Sequence, residues 1–141
     1  MNLFHRPPVD SSKKLLEKCK LPFLDLKSSY LDDFLGCGSS DNLHGIVGIE
    51  RFGSVALLRS LAVDESARGL GCAKALVLEI EKYAKVNEVS NLYLLTTTAE
   101  KFFIKIGYIP IERSLAPEAI RDTKEFSGLC PSSAVLMMKR L

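Results

Sequence analysis

The residues best placed to do chemistry are Arg68, Gly69, Leu70, Gly71, Cys72 and Ala73. They follow an apolar run, Leu57 to Val63, and a short polar turn that begins at Asp64. After them Ala73, Leu76, Val77, Ile80, Tyr83 and Ala84 recur at three- and four-residue spacing, the period of one helix face. Lys74, Glu79, Glu81, Lys82 and Lys85 fill the wet face, with Glu81 four residues before Lys85. The stretch therefore reads as strand, glycine turn, amphipathic helix. The first N–H groups of a helix have no partner within it, and the helix dipole favours negative charge there. Glycines let a phosphate approach the backbone. Arg68 adds a permanent positive charge. The chemistry on offer is the holding of a phosphate or pyrophosphate.

Three phosphate-loop patterns compete for these residues. The dinucleotide pattern G-x-G-x-x-G accepts Gly69 and Gly71 but meets Lys74 at its third glycine. A P-loop needs Gly-Lys-Ser/Thr, which the chain lacks. The pattern Arg/Gln-x-x-Gly-x-Gly/Ala is met by Arg68, Gly71 and Ala73. A plain glycine turn between strand and helix has the same form, so the motif by itself leaves the choice open.

The surrounding chain narrows the field. Its 141 residues, 47% hydrophobic and 26% charged, fit one soluble domain over 1–141 with a sizeable core. A net charge of +2 creates no demand for nucleic acid or an anionic membrane. No apolar run approaches the ~18 residues that would span a bilayer. Residues 1–12 lack the apolar core of a signal peptide, which points to the cytoplasm. Cys19, Cys37, Cys72 and Cys130 are widely spaced, without a C-x-x-C pair. They read as free thiols of a reducing compartment, not as disulfides or a metal site.

The positioning elements read as follows. A short strand at residues 1–6 ends at Pro7-Pro8. A helix from about Ser12 to Lys20 is expected behind a cap at Asp10 or Ser11, with Leu15, Leu16 and Cys19 on one face. Residues 23–30 read as irregular or briefly helical. Asp33–Cys37 and Leu43–Phe52 read as strands joined by the turn at 38–42, and Val55–Val63 follows a second turn. Val89–Leu95 is a further strand, so a parallel strand–helix–strand crossover is expected. Thr97 and Glu100 fit a capping box for a helix carrying Phe102, Phe103 and Ile106, which Gly107 ends in the left-handed conformation. A strand at Tyr108–Glu112, a long connection at 113–131 with a helical turn near Pro117–Arg121, and a last strand at Ala134–Lys139 complete the chain. The fold class is α+β: a mixed, mostly antiparallel sheet with helices on both faces and a central strand–glycine loop–helix site.

This order of elements, with the Arg68–Ala73 loop, resembles the GNAT superfamily of N-acetyltransferases over most of the chain. Residues 99–108, a short helix closing on Gly107-Tyr108, look like the family's second signature. Leu94 to Thr98, Phe102-Phe103 and the tail 132–139 resemble amino-acid N-acetyltransferases, including the glutamate-acetylating type. Fragments from residue 57 onward are similar to N-acetyltransferases of arsenic-resistance operons. The resemblance implies acetyl transfer from acetyl-CoA to a primary amine of a small molecule, by direct attack. It implies that Leu61, Ala62 and Val63 border the pantetheine arm, with the main chain of Leu61 and Val63 pairing with it. Arg68, Gly69, Leu70, Gly71, Cys72 and Ala73 would hold the pyrophosphate, and Phe103 would lie at the coenzyme.

Two departures from the family matter. Phe103 stands where many members carry a proton-donating Tyr. Coenzyme A is nevertheless a tolerable leaving group, because a thiol has a pKa of about 8.5. Thr97 and Thr98 are the candidates to hydrogen-bond its thiolate, with helix capping as their alternative role. Arg59 stands where many members carry a basic Glu. Arginine cannot accept a proton at working pH, but it grips carboxylates in two-pronged fashion. Arg59 is thus expected either to hold an acceptor's acid group or to pair structurally with Glu50 or another carboxylate. Glu50, His44 and Glu125 are candidate bases, with surface positions as the alternative. Arg113, Arg121 and Lys124 are carboxylate ligands or a solvated basic loop. A binding module on this fold that senses acetyl-CoA or docks a partner is the alternative to an enzyme, and a phosphate binder of another fold fails on its motifs. An exposed sheet edge at the last strands allows a homodimer.

Overall fold

The computed structural model describes residues 2–141. Seven strands form one mixed sheet in the order β1-β2-β3-β4-β5-β7-β6. They are β1 Leu3–His5, β2 Phe34–Gly38, β3 Leu43–Phe52, β4 Val55–Val63, β5 Asn91–Thr96, β6 Ile109–Ile111 and β7 Val135–Arg140. The helices are α1 Val9–Lys18, α2 Cys72–Val86, α3 Glu100–Lys105 and α4 Glu118–Arg121. Two compact units divide the chain: residues up to Glu50 with Leu58–Tyr83, and Arg51–Leu57 with Ala84–Leu141.

In the first unit β1, β2 and β3 pair antiparallel, with a register shift at Cys37/Gly38. The unit's core joins Leu15 and Leu16 of α1 to Leu31, Phe34, Leu43, Ile46 and Ala62. α1 begins earlier than its expected cap at Asp10 or Ser11. Pro8 holds the N-cap position, and its carbonyl accepts the Ser12 N–H at 3.0 Å. The fixed φ of proline suits a helix entry, and the Ser11 hydroxyl instead donates to the Ser40 carbonyl at 2.9 Å. Residues 21–27 are irregular and Ser28–Asp33 forms a run of 3-10 helix, so of the two readings for 23–30 the brief helix applies at its end.

In the second unit Val55–Leu57 of β4 runs parallel to Asn91–Tyr93 of β5, as the strand–helix–strand pattern requires. β7 pairs antiparallel with both β5 and β6, so the late strand lies inside the sheet and β6 forms the edge. The edge expected at the last strands is therefore β6 alone, and Pro110 at its centre blunts strand addition. Leu57, Tyr93, Ala116, Ile120 and Leu136 make this unit's core. Gly107, at φ 104°, ends α3 as the sequence requires.

Candidate functional site

The glycine loop lies in the first unit. From Val63 the chain makes one 3-10 turn, Glu65–Ala67, and then exposes Arg68, Gly69, Leu70 and Gly71 before α2 starts. Gly69 and Gly71 have φ of 81° and 80°, and a Cβ added at either would meet nothing within 4 Å. Backbone conformation, not lack of room, requires glycine at both positions. The outcome is a bare, solvent-facing turn at the N-terminus of a 15-residue helix, the arrangement that suits a pyrophosphate. Leu70 projects outward, 71% exposed, and Ala73 is half-buried.

Cys72 points the other way. Its thiol is buried beneath β3, where a Cβ on Gly45 would come within 2.8 Å of the sulfur. Burial first, and then the hydrogen bond with Cys37, push this thiol up to about 12. It is not a thiolate at working pH, so Cys72 has only its main chain to offer a ligand.

The end of α1 braces the loop. The Arg68 Nε donates to the Val63 carbonyl at 3.0 Å, and the Cys19 thiol donates to the same oxygen at 3.7 Å. Lys18 Nζ lies 2.7 Å from the Asp64 carboxylate. The hydrogen bond from Lys18, and then that from the Ser66 hydroxyl, hold the Asp64 carboxyl down at about 2. The Asp64 N–H in turn donates to the His44 carbonyl at 2.7 Å, which fixes the turn to β3. Val63 and Arg68 were legible as site residues; their link through the Val63 carbonyl was not. Leu61 and Val63 are half-buried, and Ala62 between them is buried.

Arg59 is buried on β4, with no exposed side-chain surface. Its Nη1 and Nη2 donate to the two oxygens of Asp25 at 2.6 and 2.8 Å. Nη1 also lies 3.1 Å from Glu50 Oε2, and Nε donates to the Ser60 hydroxyl at 3.0 Å. The fork that would grip an acceptor carboxylate is filled by Asp25, so the structural pairing, including the one with Glu50, is the arrangement present. Asp25 was missed because it sits in an irregular stretch with nothing in its local pattern to mark it. Ser60 adopts φ 61° in the middle of β4. For a residue with a side chain this conformation costs roughly 1–2 kcal/mol, and such strain gathers at functional sites.

Thr97, Thr98 and Phe103 belong to the second unit. The capping box expected from Thr97 and Glu100 does not form. The Ala99 N–H is accepted by the hydroxyl of Thr96 at 3.0 Å instead. Helix α3 begins only at Glu100, with Ala99 as its N-cap, two residues later than a cap at Thr97 would start it. Thr97 and Thr98 stand exposed, and neither hydroxyl is engaged among the described residues. Phe103 is a core ring, 4% exposed, packed edge-on against Phe102 and Tyr108 at 5.1 and 5.4 Å between centroids.

The other candidates separate clearly. Glu125 is buried, not at the surface, and opens a π-helical turn, Glu125–Leu129. Arg113 is neither a free ligand nor a solvated charge. It donates to the Pro131 and Ala134 carbonyls at 3.1 and 3.0 Å and lies 4.9 Å over the Phe126 ring, tying down the long connection. Among the described residues no group of His, Cys, Asp and Glu could hold a metal ion, and no helix is long and apolar enough to cross a membrane.

Comparison with known proteins agrees with this geometry. Residues 32–110 match the acetyltransferase (GNAT) domain. The N-acetylglutamate synthase of Neisseria gonorrhoeae, solved with coenzyme A and N-acetyl-glutamate, superposes with a TM-score of 0.81 at 18% identity. The match covers 99% of this chain but 35% of that one, so the chain spans about a third of that enzyme's length. Rv2747 of Mycobacterium tuberculosis, solved with CoA, gives a TM-score of 0.81 at 18% identity over 100% of this chain and 99% of that one. A GNAT-family acetyltransferase of Staphylococcus aureus gives 0.73 at 18% identity, covering 99% and 98%. At these identities the superpositions speak for the fold, and the domain match, which takes in β2–β5, the glycine loop and α3, speaks for the family. The chain belongs to the GNAT acetyltransferase family.

Proposed function

We propose that this protein acetylates the primary amine of a small acceptor, an amino acid or an amino-acid-like toxin, by direct attack within a ternary complex. The observation that carries the reading is the bare turn at Gly69–Gly71, left-handed at both glycines and flanked by exposed Arg68, at the start of α2. The coenzyme's pyrophosphate takes the N–H groups of residues 69–73 and the charge of Arg68. Its arm runs back along Val63 and Leu61. The amine's lone pair attacks the thioester carbonyl carbon, the C–S bond breaks, and the thiolate leaves. The resemblance to the family supports Thr97 and Thr98, whose hydroxyls are uncommitted among the described residues, as the candidate donors to the departing thiolate. The amide nitrogen gives up its extra proton as the thiolate gains one.

The amino-acid acceptor is supported by the likeness to an N-acetylglutamate synthase. The toxin reading rests on the sequence fragments shared with arsenic-resistance acetyltransferases. The filled fork of Arg59 means that an acceptor's acid group, if it has one, is met elsewhere. Thiol release from acetyl-CoA tests the proposal, across glutamate, other amino acids, organoarsenical and phosphinic glutamate analogues, and simple amines. Release that depends on one of these amines is expected. A coenzyme that raises the melting temperature while no amine turns over would defeat it.

A further inference from the structure

We propose that Glu50 is the group that receives the acceptor's ammonium and takes its proton. The inference rests on the ternary-complex reading above, which runs the coenzyme arm from the glycine loop back along Val63 and Leu61. The thioester end then faces the part of β4 that carries Arg59. At about 3.3 Å per residue, Arg59 lies about 7 Å along the strand from Leu61.

At that guanidinium Asp25 and Glu50 are not equivalent. Asp25 is 3% exposed at its side chain and occupies both Nη groups. Glu50 is 15% exposed and touches Nη1 through Oε2 alone, at 3.1 Å. Glu50 makes no other polar contact among the described residues, so its Oε1 is uncommitted. Asp25 already gives Arg59 the two-pronged partner that a buried arginine needs. Glu50 is thus a second carboxylate brought to a filled guanidinium, oriented by one hydrogen bond and turned partly to solvent. A protonated amine can use the free oxygen: Oε1 accepts its N–H, and Arg59 fixes Oε2 so that the carboxylate cannot swing away. The proton passes from the ammonium nitrogen to Glu50, and the freed lone pair forms the bond to the acetyl carbon. The proton then leaves to solvent, and the reaction balances as amine plus acetyl-CoA to amide plus free thiol. The substrate class that follows is a protonated primary amine, whether or not it carries an acid group.

Glu50→Gln keeps the shape and an acceptor for Arg59 while removing the charge. It is compared with Asp25→Asn. The melting temperature of Glu50→Gln is expected within about 2 °C of the unaltered protein, and that of Asp25→Asn about 10 °C or more below it. Glu50→Gln is expected to keep the rise in melting temperature on adding acetyl-CoA. Its amine-dependent thiol release, measured with glutamate, lysine and putrescine, should fall about 100-fold or more, with the acetyl-CoA KM unchanged. A Glu50→Gln protein as unstable as Asp25→Asn, or one with full turnover, overturns the assignment. If the unaltered protein releases thiol with no amine, the acetylation reading fails, and the melting comparison alone decides here. Equal losses in both variants overturn the role for Glu50; a stable Glu50→Gln supports a carboxylate retained for something other than the fold.

Discussion

Asp25 and Arg59, 34 residues apart in the chain, meet through two hydrogen bonds of 2.6 and 2.8 Å, with both side chains almost wholly out of solvent. Removing one member of such a pair leaves the other charge buried with too few partners. Asp25→Ala is therefore expected to destabilise the protein by about 3–5 kcal/mol, read from urea or thermal unfolding. A loss below about 1 kcal/mol would mean that Arg59 readily finds another arrangement.

Gly71→Ala isolates backbone conformation from crowding, because the new methyl would meet no atom within 4 Å. A cost of about 1–2 kcal/mol is expected from the left-handed φ alone. If the loop relaxes to avoid that cost, its N–H groups turn away from the pyrophosphate. Calorimetric titration should then show acetyl-CoA binding weakened by about tenfold or more. Unchanged affinity would remove the glycine turn from the coenzyme site.

The three threonines after β5 divide their tasks. Thr96→Val loses the acceptor for the Ala99 N–H in the turn before α3 and should cost about 0.5–1.5 kcal/mol, the net worth of one such hydrogen bond. Thr97→Val and Thr98→Val should each leave stability within about 0.5 kcal/mol. One of the two should lower kcat by about 100-fold. Full kcat in both would leave the thiolate without a threonine donor.

Asp64 sets an acid limit. Its carboxyl titrates at about 2 in the folded protein against an ordinary 3.8. Between those values the unfolded chain takes up the proton first, so stability is present above about pH 3.8 and falls as the pH drops towards 2. Melting temperatures measured from pH 5 to pH 2 should fall less steeply for Asp64→Asn than for the unaltered protein. Parallel curves would show that the tie to Lys18 carries no linkage.

Cys72 should resist thiol reagents. With its thiol pushed up to about 12 and its side chain buried, it is expected to escape alkylation at pH 8 in the folded protein, while half-exposed Cys19 reacts. Peptide mass mapping after brief iodoacetamide treatment checks this. Early labelling of Cys72 would mean that α2 opens readily at its start.

Local chemistry made much of this legible beforehand. β3 and β4 run over the residues their apolar patterns mark, and Gly107 stops α3 as a left-handed glycine should. The glycine loop is a local device, and it stands at the head of α2 where its spacing puts it. What stayed hidden depends on partners far away in the chain. No pattern around Asp25 announces Arg59, so Arg59 kept two readings until its neighbours were known. Ala99, not Thr97, holds the N-cap position, and the Thr96 hydroxyl at the end of β5 accepts the Ala99 N–H; β5 runs one residue further than its apolar stretch, and the helix starts later. The place of β7 inside the sheet is a matter of topology, to which strand propensity is blind.

That place has a consequence for the order in which the chain is made. β5 and β6 leave the ribosome first, yet neither pairs with the other; each waits for β7 to come between them. Until Val135–Arg140 has emerged, the far side of β5 is an open edge and β6 has no neighbour. A nascent chain paused in the 113–131 connection would thus expose an apolar strand that invites the wrong partner. Pausing there, or any cut that removes β7, should send the protein to chaperones or aggregates instead of to a smaller folded enzyme.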